Sequence, residues 1–135
     1  MSTSAWVLTL FISWALLLLI VMELVRSYLV LSGRVAANQF NPENSNLSPF
    51  MQRLARAHAN CLEGIPIFGG LLLVAIATGR TEVTDPLAPW LLGARVVQSS
   101  IHLASLSVLA VNARFTAFAA QMAIAVYWAW ALIAR

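Results

Sequence analysis

Charged and amide side chains of the segment "RLARAHANCLEG", residues 53–64, interrupt an otherwise apolar part of the chain. Arg56, Asn60 and Glu63 are spaced i, i+4 and i+7, which places them on one face of an α-helix. The apolar run that follows gives only about 22 Å of helix, less than the ~30 Å hydrocarbon core of a bilayer. We therefore expect this face to lie at membrane depth, turned toward a bundle interior or a cavity.

Two later segments carry polar side chains that could complete such a cavity. Arg95, Gln98 and His102 share one helical face, together with a serine, and Arg114 begins the last apolar stretch with Gln121 on its own face. Since most of the charges are positive, the spacing predicts a cationic pocket suited to an anionic ligand.

The composition excludes a soluble protein and several kinds of site. Apolar residues make up 61% of the chain and charged residues 10%, which is typical of an integral membrane protein. The eight basic residues form no cluster, so no nucleic-acid partner is expected. Cys61 is the only cysteine, and the two histidines lack the spacing of metal ligands, so neither an intrachain disulfide nor a metal site is predicted.

The elements that position these residues are four apolar stretches. They predict an all-α, integral membrane four-helix bundle forming one transmembrane domain over residues 1–135. A polar loop at 35–49 is expected on the cytoplasmic side, because Arg34, Arg53 and Arg114 gather there. Both termini would then be periplasmic. The predicted helices cover about 5–33, 50–78, 87–109 and 114–133.

Polar residues in a membrane helix can also be simple packing contacts between helices, worth about 0.6–2 kcal/mol each. This interpretation suits Glu23 with Arg26, and Gln121. For Arg95 two interpretations stay open, because it could line the pocket or pair with Glu63 or another carboxylate.

The segment "RLARAHANCLEGIPIF" resembles the helix-two signature of the MAPEG family, the membrane-associated proteins of eicosanoid and glutathione metabolism. That signature reads approximately ER-x-x-RA-x-x-N-x-x-E-x-x-P, and the segment matches it at Arg56, Ala57, Asn60, Glu63 and Pro66. The similarity extends to "ARVVQSSIHL" in the third helix and "NARF" at the fourth, and it looks closest to bacterial members.

The resemblance implies a homotrimer in the bacterial inner membrane, with glutathione as co-substrate in sites between subunits that open to the cytoplasm. The protein would be a glutathione-dependent transferase or peroxidase that acts on a lipophilic electrophile or hydroperoxide in detoxification. Arg114, at the predicted start of the fourth helix, would stabilise the thiolate by its charge and by the helix N-terminus. The implied glutathione contacts are Arg34, Arg56, Asn60, Glu63, Gln98 and His102.

Three positions depart from the family pattern, because Gly64, His102 and Phe118 stand where tyrosines are common. A catalytically silent member that only binds glutathione therefore stays an alternative. A small proton-coupled multidrug exporter is a second, since Glu23 lies within the first helix. That class would not explain the Arg56, Asn60 and Glu63 stripe.

Overall fold

The apolar runs fold into helices, and the computed structural model describes residues 1–134. Within this part of the chain, three helices are long and apolar enough to cross a membrane: Thr3–Leu31, Val108–Ile133 and the rod Pro49–Ala77, which contains a π-helical turn. The expected all-α membrane bundle is confirmed. The elements are α1 (Thr3–Leu31), α2 (Pro49–Gly64), the π turn (Ile65–Gly69), α3 (Gly70–Ala77), α4 (Thr81–Thr84), α5 (Ala88–Ala104) and α6 (Val108–Ile133).

Serine side chains begin the long helices. Ser48 caps α2 directly before Pro49, and Ser107 caps α6 by accepting a hydrogen bond from the Ala110 amide at 3.1 Å. Ser105 is extended and ends α5. The last helix therefore begins at Val108 and not at residue 114, and the third ends at 104 and not at 109.

The core lies where α5 packs against α1, α2 and α6. The inner face of α1 buries residues three or four positions apart, as a helix with one covered face requires. Large apolar side chains on the outer faces stay exposed, which suits a surface in contact with lipid. The buried apolar residues of α1 are Val7, Phe11, Ala15, Leu18 and Met22.

The long loop is held onto α1 by a buried asparagine. Asn44 has a left-handed backbone (φ 55°), and its amide nitrogen donates to the Met51 carbonyl at 2.8 Å. Its side-chain oxygen accepts from Arg26, whose guanidinium also pairs with Glu23 at 3.3 Å. Glu23 and Arg26 thus serve to fix the loop, in agreement with the packing interpretation.

Arginine side chains also tie helix ends together. Arg53 donates to the Leu103 carbonyl at 2.8 Å near the end of α5. Arg80, in the turn before α4, donates to the Leu132 carbonyl at 2.7 Å and the Ala131 carbonyl at 3.0 Å. A cation at a helix C-terminus satisfies free carbonyls and complements the helix dipole.

Replacing Arg80 with methionine should destabilise the bundle, because the last carbonyls of α6 lose a charged donor. We expect the loss to be about 1–2 kcal/mol, which lowers the melting temperature by several degrees. Thermal unfolding in detergent would measure it. An unchanged melting temperature for Arg80→Met would contradict the capping role.

Candidate active site

A chain of side-chain amides crosses the bundle interior from α2 to α6. Asn60 Oδ1 accepts hydrogen bonds from Arg95 Nη1 at 2.7 Å and from Gln98 Nε2 at 2.9 Å. Gln121 Nε2 donates to Gln98 Oε1 at 2.8 Å. Two donors on α5 therefore hold the Asn60 side chain through its amide oxygen.

Arg95 lies at the centre of the bundle with only 1% of its surface exposed. Its guanidinium carbon stands 5.4 Å from the ring centre of Phe11 and 5.7 Å from that of Phe68, a cation–π arrangement. The one ion pair within residues 1–134 joins Arg26 and Glu23. Of the two interpretations left open for Arg95, pairing with a carboxylate is not observed within residues 1–134.

Gly64 makes room for this guanidinium. A Cβ atom at position 64 would stand 2.8 Å from Arg95 Nη2 and 3.1 Å from a ring carbon of Phe68. Both neighbours are themselves buried. Any side chain at position 64, a tyrosine included, would therefore require the Arg95 guanidinium and the Phe68 ring to shift from their observed positions.

A polar cavity of about 270 Å³ opens in front of the amide chain, between α2, α5 and α6. Its polar lining comes from Asn60, Gln98, His102 and Arg114. His102 Nε2 and Arg114 Nη1 are buried and have no hydrogen-bond partner within residues 1–134. Buried polar atoms without partners favour a polar ligand at this position.

An apolar cleft of about 410 Å³ adjoins the polar cavity, and Asn60 and Phe118 line both. Glu63 stands on its wall beside apolar residues of the π turn and α6. Ile67 and Val126, at the outer edge, are exposed on the outer surface of the single chain. A lipophilic molecule could therefore enter the cleft from that surface.

Comparison with known protein families identifies the family of this chain. The sequence profile of the MAPEG family matches residues 3–134, nearly the whole chain. The chain belongs to the MAPEG family. The resemblance seen in the helix-two stripe is thereby confirmed, and the family includes glutathione transferases and peroxidases as well as members without catalytic activity. No curated protein and no solved structure gave a significant match.

The predicted site residues of this MAPEG protein fall into three groups. Asn60, Gln98, His102 and Arg114 line the polar cavity. Glu63 lines the adjoining apolar cleft. Arg56 and Arg34 line neither cavity: Arg56 is exposed one turn before Asn60, and Arg34 follows α1 with its guanidinium 5.7 Å from the Tyr28 ring centre.

The structure changes the surroundings expected for Arg114. Because α6 begins at Val108, Arg114 lies in its second turn and not at the helix N-terminus. The dipole effect falls off within the first turn. Arg114 therefore offers its charge and hydrogen bonds to the cavity, and the helix N-terminus adds little there.

The sequence prediction missed the apolar half of the site. Phe118 lines both cavities and packs edge-on against Phe68, with ring centres 6.2 Å apart. The available signal was the spacing of Arg114, Phe118 and Met122 at i, i+4 and i+8 on one face of α6. The π turn follows from Pro66, which has no amide hydrogen to donate within a helix.

Proposed function

We propose that this MAPEG protein is a membrane-embedded, glutathione-dependent transferase or peroxidase acting on a lipophilic electrophile or hydroperoxide. The observation that carries the proposal is the junction of two cavities at Asn60. One is polar, with His102 and Arg114 atoms that have no partner within residues 1–134, and the other is apolar and open at the outer surface of the chain. A peptide thiol and a lipophilic substrate would meet at that junction.

The charges of the site complement those of glutathione, which carries two carboxylates, an ammonium group and a thiol. Glu63 would accept hydrogen bonds from the ammonium group, while Arg56 would bind a carboxylate. Asn60, Gln98 and His102 supply further polar contacts. Arg114 would stand beside the sulfur and stabilise its thiolate form.

The chemistry needs only a stabilised thiolate and a bound electrophile. In the transferase reaction the thiolate attacks an electrophilic carbon in the apolar cleft and a carbon–sulfur bond forms. The leaving group of an aryl halide then departs with its electron pair, whereas the enolate formed from an enone takes up a proton. In the peroxidase reaction the thiolate attacks a peroxide oxygen, the O–O bond breaks, and the alkoxide leaves and takes up a proton to become an alcohol. The sulfenic acid formed on glutathione reacts with a second glutathione to give the disulfide and water. Arg114 acts in both by offsetting the charge on sulfur before attack.

A second copy of the chain would complete the site. Arg56 and Glu63 are exposed on a membrane-spanning helix although charged groups are costly there. A homotrimer would cover this face, and Arg34, exposed beyond the end of α1, would reach a neighbouring subunit's cavity. We place the cavity on the cytoplasmic side of a bacterial inner membrane, with both termini periplasmic.

A non-catalytic glutathione-binding protein is the second candidate. The observation that favours it is the absence of a tyrosine hydroxyl at the cavities, where Gly64, His102 and Phe118 stand. The exporter alternative is weaker, because Glu23 is paired with Arg26 in holding the loop.

Calorimetry on the detergent-solubilised protein tests the proposal. We expect saturable binding of glutathione, followed by turnover with at least one member of a panel of aryl halides, enones and lipid hydroperoxides. No binding at millimolar glutathione would refute the proposed function. Binding without turnover across the panel would select the non-catalytic candidate.

A further inference from the structure

We infer that Arg95 is a positioning residue that sets the direction of the amide chain, so that Asn60 presents its NH₂ group to the ligand cavity. Arg95 itself is buried behind Asn60, at the bundle centre. The inference rests on the proposed function, because it concerns how the same cavity recognises glutathione.

The direction of the chain follows from the chemistry of arginine. A guanidinium group only donates hydrogen bonds, so the Asn60 atom 2.7 Å from Arg95 Nη1 must be the amide oxygen. Gln98 then has to donate to that oxygen, which leaves its own oxygen to accept from Gln121. Gln121 also donates to the Ala117 carbonyl at 3.2 Å, so its orientation agrees with the rest. A cation at one end of the chain and a backbone carbonyl at the other thus impose the same direction on three amides, and Arg95 is the group that acts on Asn60 directly.

The direction of the Asn60 amide decides which of its polar atoms is available at the cavity wall. With its oxygen turned inward, Asn60 has its amide nitrogen left for the cavities, and this nitrogen makes no hydrogen bond within residues 1–134. Glu63, on the same helix face, supplies an acceptor nearby. A donor beside an acceptor matches a peptide ligand with carboxylate or carbonyl oxygens and an ammonium group. A reversed amide would place two acceptors side by side and repel the carboxylate.

Stability alone does not account for Arg95. Its Nε and Nη2 atoms are buried without hydrogen-bond partners, and no carboxylate within residues 1–134 pairs with it. Buried charges of this kind are commonly neutral or unfavourable for folding compared with an apolar side chain of similar size. A residue that orients a ligand contact at the expense of stability should show opposite effects on the two properties when it is replaced.

The test is Arg95→Met, which keeps an unbranched side chain but removes the donors and the charge. We expect an unchanged or higher melting temperature in detergent, together with a Kd for glutathione raised about tenfold. The matched control is Arg80→Met, in the turn before α4, where the same substitution should lower the melting temperature and leave the Kd unchanged.

Two further variants separate orientation from packing. Arg95→Lys retains a group that only donates, so its Kd should lie closer to wild type than that of Arg95→Met. Asn60→Asp keeps an oxygen for Arg95 but places another oxygen toward the cavity. It should fold, because it forms an ion pair, and should bind glutathione at least as weakly as Arg95→Met. This variant tests the direction of the Asn60 amide even if Arg95→Met fails to fold.

Wild-type affinity in Arg95→Met would overturn the inference, as would wild-type affinity in Asn60→Asp. Equal loss of binding in the methionine and lysine variants would overturn it too, because orientation would then not explain the effect. Failure of the wild-type protein to bind glutathione is a separate result, which removes the proposed function and with it the inference.

Discussion

Replacing Arg114 with alanine is expected to lower turnover about a hundredfold while weakening glutathione binding far less. Arg114 lines the polar cavity, and one of its guanidinium nitrogens is buried without a partner within residues 1–134. Removing a preorganised donor from developing or localised negative charge typically costs 10²- to 10³-fold in rate. The thiolate is only one of several charged groups through which glutathione would bind. Loss of the stabilisation that Arg114 gives the thiolate should therefore lower kcat more than it weakens binding.

Steady-state kinetics and the ultraviolet absorbance of bound thiolate would measure the two effects together. In Arg114→Ala the thiolate band should disappear at neutral pH although glutathione still binds. Arg114→Lys serves as the control that retains a cation, and it should keep part of the band and of the rate. If Arg114→Ala keeps wild-type turnover and the full band, another group stabilises the thiolate.

The helices of the chain could largely be predicted from apolar length, since α1 and the rod Pro49–Ala77 lie close to their predicted ranges. The predicted helix ends were wrong around residues 105–113, where the third helix stops and the last helix begins. Apolar residues continue across the break, and the length of the apolar run was given more weight than the capping serine Ser107. Local hydrogen bonding decides a helix start, and a hydropathy pattern does not register it.

The grouping of Asn60 with polar residues of α5 and α6 could be predicted from the sequence, because helical periodicity places each of these residues on the inner face of its helix. The partner of Arg95 could not be predicted in the same way. It depends on the shape of the space between Phe11, Phe68 and Gly64, which arises only when three helices pack. The contact that a Cβ atom at position 64 would make with Arg95 likewise becomes visible only in the packed bundle.

Glu63→Gln is expected to raise the Kd for glutathione by ten- to a hundredfold with little change in stability. A hydrogen bond between charged partners contributes about 1.5–3 kcal/mol, and glutamine keeps the shape of the side chain while removing the charge that the ligand ammonium needs. Glu63 is exposed in the single chain and has no ion-pair partner within residues 1–134, so folding should not depend on its charge. Calorimetry and thermal unfolding would measure the two quantities on the same preparation.

Glu23→Gln provides the matched control, because it makes the same chemical change in α1. Its glutamine oxygen can still accept from Arg26, and Glu23 lines neither the polar cavity nor the apolar cleft, so the Kd for glutathione should stay at the wild-type value. Equal weakening by both variants would show a general effect of negative charge and would remove the specific role of Glu63. If instead Glu23→Gln abolished cation efflux in cells while Glu63→Gln left glutathione binding intact, the exporter alternative would replace the glutathione proposal.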